Sequence, residues 1–147
     1  MLGRKILFAL MTAAFVFAFF GCGDSSDERE VYTSFPDPAV LSQFGLPAGL
    51  TEPAGCTFKG GVKYSMGKFK ILELVWEGAD PAKAAAYAAV LDGLLGTQDG
   101  NETKPEYIGY WWDIGPYVGL TYYISNFTDG DGKNHMAGEL FLGVIIE

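Results

Sequence analysis

Apolar and polar residues alternate with a period of two through much of the second half of this chain. Val118, Leu120, Tyr122 and Ile124 share one parity; Thr121, Tyr123 and Ser125 share the other. Leu140, Leu142, Val144 and Ile146 repeat the pattern opposite Phe141, Gly143 and Ile145. Side chains alternate across a strand, so this spacing predicts strands over 117–127 and 139–146, each with one face on a core. Residues 107–114 read as a further strand, joined to the next by the turn at Gly115 and Pro116. Residues 57–64 and 68–77 predict a hairpin about Ser65, Met66 and Gly67. The middle of 69–76 is apolar on both parities, the pattern of a strand covered on both faces.

The period changes to that of a helix over 80–96. Asp80 can act as N-cap, Pro81 as the first helical residue and Gly96 as the stop. Ala84, Tyr87, Val90 or Leu91, Leu94 and Leu95 then form one apolar stripe. Asp37 and Pro38 predict a shorter helix that ends at Gly45. Residues 45–55, broken by Pro47 and Pro53, read as a strap across the core, and 97–105 as a loop. The sum is ββαβββ. It predicts an α+β domain with a mostly antiparallel sheet of about five strands, one long helix on one face and a short N-terminal helix.

The beginning of the chain follows neither pattern. Arg4 and Lys5 precede an uncharged run over 6–20, and Gly21, Cys22 and Gly23 come next. A basic start, an apolar centre and small residues at the exit predict an export signal. The alternative is an uncleaved anchor, but about 15 apolar residues fall short of the ~20 that a spanning helix needs. Phe19, Phe20, Gly21 and Cys22 resemble the lipobox of bacterial lipoproteins. Gly21 and Cys22 match that pattern, while Phe19 and Phe20 stand where Leu and a small residue are common. The resemblance implies cleavage before Cys22, acylation of its sulfur with palmitate-type chains, and an address in a bacterial cell envelope. Gly23, where an Asp would imply retention at the inner membrane, points to the outer membrane facing the periplasm. The expected organisation is thus a signal peptide over 1–21, a lipidated Cys22 with a flexible tether over 22–34, and one domain over 35–147.

Composition narrows the function. Of the 147 residues, 49% are hydrophobic and 19% charged, which suits a folded domain. The net charge is −8, and removing 1–21 takes away two cations and no acid. Nucleic acid is therefore not an expected partner. The lipid, not a basic patch, would hold the domain to a membrane. One His and two Cys supply no ordinary zinc site, and no metal or cofactor is expected. If Cys22 is acylated, Cys56 has no disulfide partner in the chain.

Several groups are candidates for chemistry. Trp111 and Trp112 are consecutive and must point to opposite faces of a strand. With Tyr110 and Tyr123 they form the candidate ligand-binding set, able to stack on a sugar ring or receive an apolar partner. The other explanation is that aromatics simply pack well across strands. The sequence from Asp129 to Asn134 begins like a calcium loop but fails the pattern at Lys133, Asn134 and Leu140, so a plain turn is expected. Cys56 and His135 lack any surrounding motif of a thiol hydrolase. Glu73 and Glu77 share a strand face, but i and i+4 on a strand lie ~13 Å apart, too far for paired-carboxylate hydrolysis. Lys59, Lys63, Lys68 and Lys70 read as guards of an exposed edge, with an anionic docking patch as the other reading. The expected function is a non-catalytic binding or scaffolding module with an envelope protein or a glycan as partner. The alternatives are a glycan or small-ligand binder using exposed aromatics, and an envelope hydrolase with a site assembled from Asp113, Tyr117 and His135.

Overall fold

A computed structural model describes residues 29–105, 107–128 and 134–147, with the backbone alone at 125–128 and 134–137. The expected signal peptide, Cys22 and the turn at 129–133 lie outside the described residues. The described chain forms seven strands and two helices. In chain order they are β1 (Glu30–Tyr32), α1 (Pro38–Gln43), β2 (Thr57–Met66), β3 (Phe69–Glu77), α2 (Pro81–Leu95), β4 (Gly100–Thr103), β5 (Tyr107–Asp113), β6 (Tyr117–Thr128) and β7 (Asn134–Ile146). All seven strands join one antiparallel sheet of order β1-β2-β3-β7-β6-β5-β4.

This corrects the expected five-stranded sheet with one long helix. The two additional strands are the edges. β1 falls where a tether is expected, and pairs Glu30, Val31 and Tyr32 with Lys63, Val62 and Gly61. β4 falls in the expected loop, and pairs Gly100–Thr103 with β5. Both are short and lack apolar alternation, so the backbone ladder rather than side-chain pattern places them. The β2–β3 hairpin is consequently not an edge. Its lysines serve local pairs instead: Lys59 with Glu139, Lys63 with Glu30 at 2.6 Å, and Lys68 with Glu147. Gly67, at φ 60°, makes the tight turn between these strands.

The helices form where their caps predict. Asp37 Oδ1 accepts from the N–H groups of Ala39 and Val40, and Asp80 Oδ1 accepts from that of Lys83. Both helices cover the same side of the sheet. Leu41 and Phe44 of α1 join Ala84, Tyr87, Ala88 and Leu91 of α2 over Leu72, Leu74, Trp76, Trp112, Val118, Leu120, Leu140, Leu142 and Val144. The buried stripe of α2 therefore includes Ala88 rather than Val90 and Leu94, which are 44% and 38% exposed. Alanines all round this helix leave the choice of face to the sheet it meets. The strap over 45–55 is pinned twice: Trp76 Nε1 donates to Glu52 Oε2 at 2.9 Å, and Tyr87 Oη donates to Thr51 O at 2.8 Å. At the far end of β7, Gly138 allows a close crossing. Ala79 N donates to its carbonyl at 3.1 Å, and a Cβ at Gly138 would collide with Ala79 O.

Candidate functional site

The four aromatics singled out in the sequence divide between the two faces. Trp112 is fully buried on the helix side. Its indole N–H is shared between Asp92 Oδ1 and Gly96 O, both at 3.0 Å, which ties β5 to the end of α2. Tyr110 lies on the same side, half-buried at the margin of the main core, where burial raises its phenol above the ordinary value. Trp111 and Tyr123 occupy the opposite side. Trp111 packs with Ile71, Tyr117 and Ile145, while Tyr123 packs with Val62, Val75 and Phe141 and sets its ring 6.2 Å from that of Tyr107. Trp112 thus serves the fold, and Trp111 and Tyr123 lie on the face away from the helices.

The trio Asp113, Tyr117 and His135 is not assembled. Asp113 and Tyr117 are register partners, but Tyr117 faces Ile145 on β7, ten positions from His135. Ten residues of extended strand span roughly 33 Å. His135 itself lies in β7 opposite Phe127, not in a turn. Cys56 is half-buried beside the main core, and burial pushes its thiol up, the opposite of nucleophile activation.

The face away from the helices is the more informative one. Among the described residues, its two apolar clusters contain strand residues and none from α1 or α2. Among the described residues no helix or strand lies across it, yet Ile71, Val75, Tyr117, Thr121, Phe141 and Ile145 are all buried. Its centre is a register row across the sheet: Val62, Glu73, Gly143, Gly119, Trp111 and Gly100. The two adjacent glycines contribute no side chain, so a trough lies over β7 and β6. Two residues away along each strand stand Ile71 and Val75, Ile145 and Phe141, and Tyr117 and Thr121, which form its side walls. Glu73 closes one end and Trp111 the other. The Trp111 indole lies over Gly100, where any Cβ would collide with it.

Glu73 is the buried acid of this face, and sequence reasoning weighed it only as half of a pair with Glu77. It is only 1% exposed, and Tyr64 Oη donates to its Oε1 at 3.0 Å. Its other oxygen, Oε2, has no hydrogen-bond partner among the described residues. Burial disfavours the charged form and pushes its carboxyl up to about 7, against smaller opposing effects from the Tyr64 hydroxyl and the charge of Arg29. Burial and the neighbouring Asp113 likewise raise the Tyr117 phenol to about 12. The signal available in the sequence was an acid set between Ile71 and Val75 on their own parity.

A second concavity of about 800 Å³ opens beside the β2–β3 turn, lined in part by Arg29, Phe44, Lys63, Tyr64 and Lys70. One of its cations, Lys63, is already paired with Glu30. Among the described residues no three His, Cys, Asp or Glu side chains are grouped to hold a metal ion, and no helix is long and apolar enough to cross a membrane. No family model, curated protein or solved structure matches this chain.

Proposed function

We propose that this protein is an exported binding module of a bacterial envelope, lipid-anchored at Cys22, that takes its ligand on the sheet face opposite the helices. The lipobox-like sequence supports the address. The reading of the face rests on one observation: a glycine-floored, aromatic-walled surface is as dry as the core although no described element covers it. An apolar surface of that kind takes a cover. In this reading the ligand supplies it. Among the described residues the face carries no built nucleophile or acid–base pair, and binding is the reading we adopt.

Two measurements test the two halves of this reading. Metabolic labelling with palmitate is expected to mark the wild-type protein and not a Cys22→Ser variant; an unlabelled wild type overturns the anchor. Acrylamide quenching on the processed protein is expected to reach Trp111 while Trp76 and Trp112 stay protected, with Trp111→Phe removing the accessible fraction. A Trp111 as protected as the other two overturns the binding face.

A further inference from the structure

The lysines of the β2–β3 hairpin have two different fates. Lys59 and Lys68 are taken up by Glu139 and Glu147. Lys63 and Lys70 instead line the concavity of about 800 Å³ beside the turn, with Arg29 as a third cation. These lysines and Ser65 lie on the helix side of the sheet: Lys63 pairs in register with Leu72 of the main core, and Ser65 with Lys70. The concavity is therefore separate from the face opposite the helices. Gln43 and Phe44 line it from the end of α1. Three cations against one carboxylate, Glu30, make it a positive opening in a chain whose net charge is −8. Lys63 Nζ lies 2.6 Å from Glu30 Oε2, which occupies one of its three N–H donors. Lys70 is exposed and makes no ion pair among the described residues. Arg29 also acts on Tyr64 and Glu73 through its charge, so it contributes field here rather than a required contact.

We propose that this concavity binds a phosphate ester of a small polyol, its phosphate on Lys63 and Lys70 and its hydroxyl groups on Ser65 and Gln43. Ser65 and Lys70 stand opposite each other at a strand spacing of ~5 Å, and Lys63 is two residues from Ser65, ~7 Å along the strand. Lysine side chains at that spacing can close on one anion, while the hydroxyl and amide groups beside them serve neutral oxygens. The surplus of two positive charges matches a phosphate, whose tetrahedral oxygens accept from several directions, better than a carboxylate with two oxygens in one plane. The volume exceeds that of a bare anion and falls within the roughly 300–1,000 Å³ of small-molecule sites. Two sources share this chemistry: a soluble phosphate ester and the headgroup of a phospholipid. In the anchored chain the second is close at hand, because seven residues carry the backbone from Cys22 to Arg29, ~24 Å when fully extended.

The test is calorimetric titration of the protein purified from the producing bacterium with glycerol 3-phosphate. Glycerol serves as the uncharged counterpart, and glycerophosphoglycerol, the deacylated headgroup of phosphatidylglycerol, as the diester. Glycerol 3-phosphate is expected to bind at least about tenfold more tightly than glycerol at low ionic strength, and to weaken in about 1 M salt. Lys70→Gln should weaken its binding about tenfold. Glu30→Gln, which removes the competing carboxylate, should tighten it roughly two- to fivefold. Lys68→Gln removes the same charge from the same hairpin outside the concavity, and should stay within about twofold of wild type. All three positions are exposed, so the variants keep the fold. Equal losses in Lys70→Gln and Lys68→Gln show a diffuse field only and overturn the site. Weaker binding by Glu30→Gln overturns the placement of the phosphate on Lys63. Glycerol bound as tightly as its phosphate, or no heat from either phosphate ester at millimolar concentration, overturns the proposal. Tighter binding of glycerol 3-phosphate than of the diester assigns the soluble source, and the reverse order assigns the lipid headgroup.

Discussion

On the helix side of the sheet, Leu72, Leu74, Trp112, Leu120 and Leu142 meet α1 and α2, and Trp112 Nε1, Trp76 Nε1 and Tyr87 Oη all donate to identified acceptors, while Tyr32 Oη at the margin has none among the described residues. On the other side the apolar residues are as well buried, but two register-paired glycines interrupt the packing and one carboxylate oxygen lacks a partner among the described residues. The first arrangement is dense, with its indole and Tyr87 donors matched to acceptors. The second lacks side chains at Gly119 and Gly143 and leaves a charged-type acceptor, Glu73 Oε2, without a partner among the described residues. That difference is the reason the proposed binding is put on the second face.

The comparison can be tested at four levels of effect. Leu142→Ala on the helix side should destabilise by about 2–5 kcal/mol in urea unfolding, whether or not the chain has been processed. Phe141→Ala, its neighbour on the opposite face, should cost less than half as much in the processed protein; equal costs would show that both faces are structural. Glu73→Gln should change the dependence of stability on pH. Its folded carboxyl is raised to about 7 from an ordinary value of 4.5. The proton is kept on folding and lost on unfolding between those values, so wild-type stability falls as pH rises from about 4.5 through 7. The full effect is on the order of 3 kcal/mol. The Gln variant should lack this slope and be the more stable protein at pH 8, and a wild type with no slope would mean that Glu73 is solvated. Asp92→Ala removes the acceptor for both Trp112 Nε1 and the Gln98 N–H, at a cost of about 1–2 kcal/mol by thermal or urea unfolding. Val90→Lys, on the exposed side of α2, should stay within about 0.5 kcal/mol of wild type.

Local chemistry made parts of this molecule legible in advance. Asp80, Pro81 and Gly96 mark α2 because capping depends on the residues at the cap. The alternations around Leu120 and Leu142 mark strands because their helix-side partners are apolar. The edges were not legible: Gly100, Asn101, Glu102 and Thr103 have the composition of a loop and pair through backbone groups that every residue carries. The packed stripe of α2 was not legible either, since Ala85, Ala86 and Ala89 differ little from Ala84 and Ala88 in hydrophobicity. The trough was hidden for a third reason. Gly119 and Gly143 are 24 positions apart, and only the register of β6 on β7 sets them side by side. Glu73 looked like half of an acid pair in the sequence, and only the register places it beside that gap.

The strand order also dictates a folding itinerary. β2 and β3 are joined by a tight turn and β4, β5, β6 and β7 are successive neighbours, so each of these groups can zip up through short connections, while β1 reaches β2 only across α1 and the strap. The seam between the groups is β3 against β7, where Leu74 meets Leu142 across 68 residues of chain. Closing a loop of that length is the late entropic step in such a topology. The trough straddles this seam, with Glu73 on one bank and Gly143 on the other. Its walls therefore come together only when the two groups of strands join, and a chain arrested before that event would lack the face on which binding is proposed.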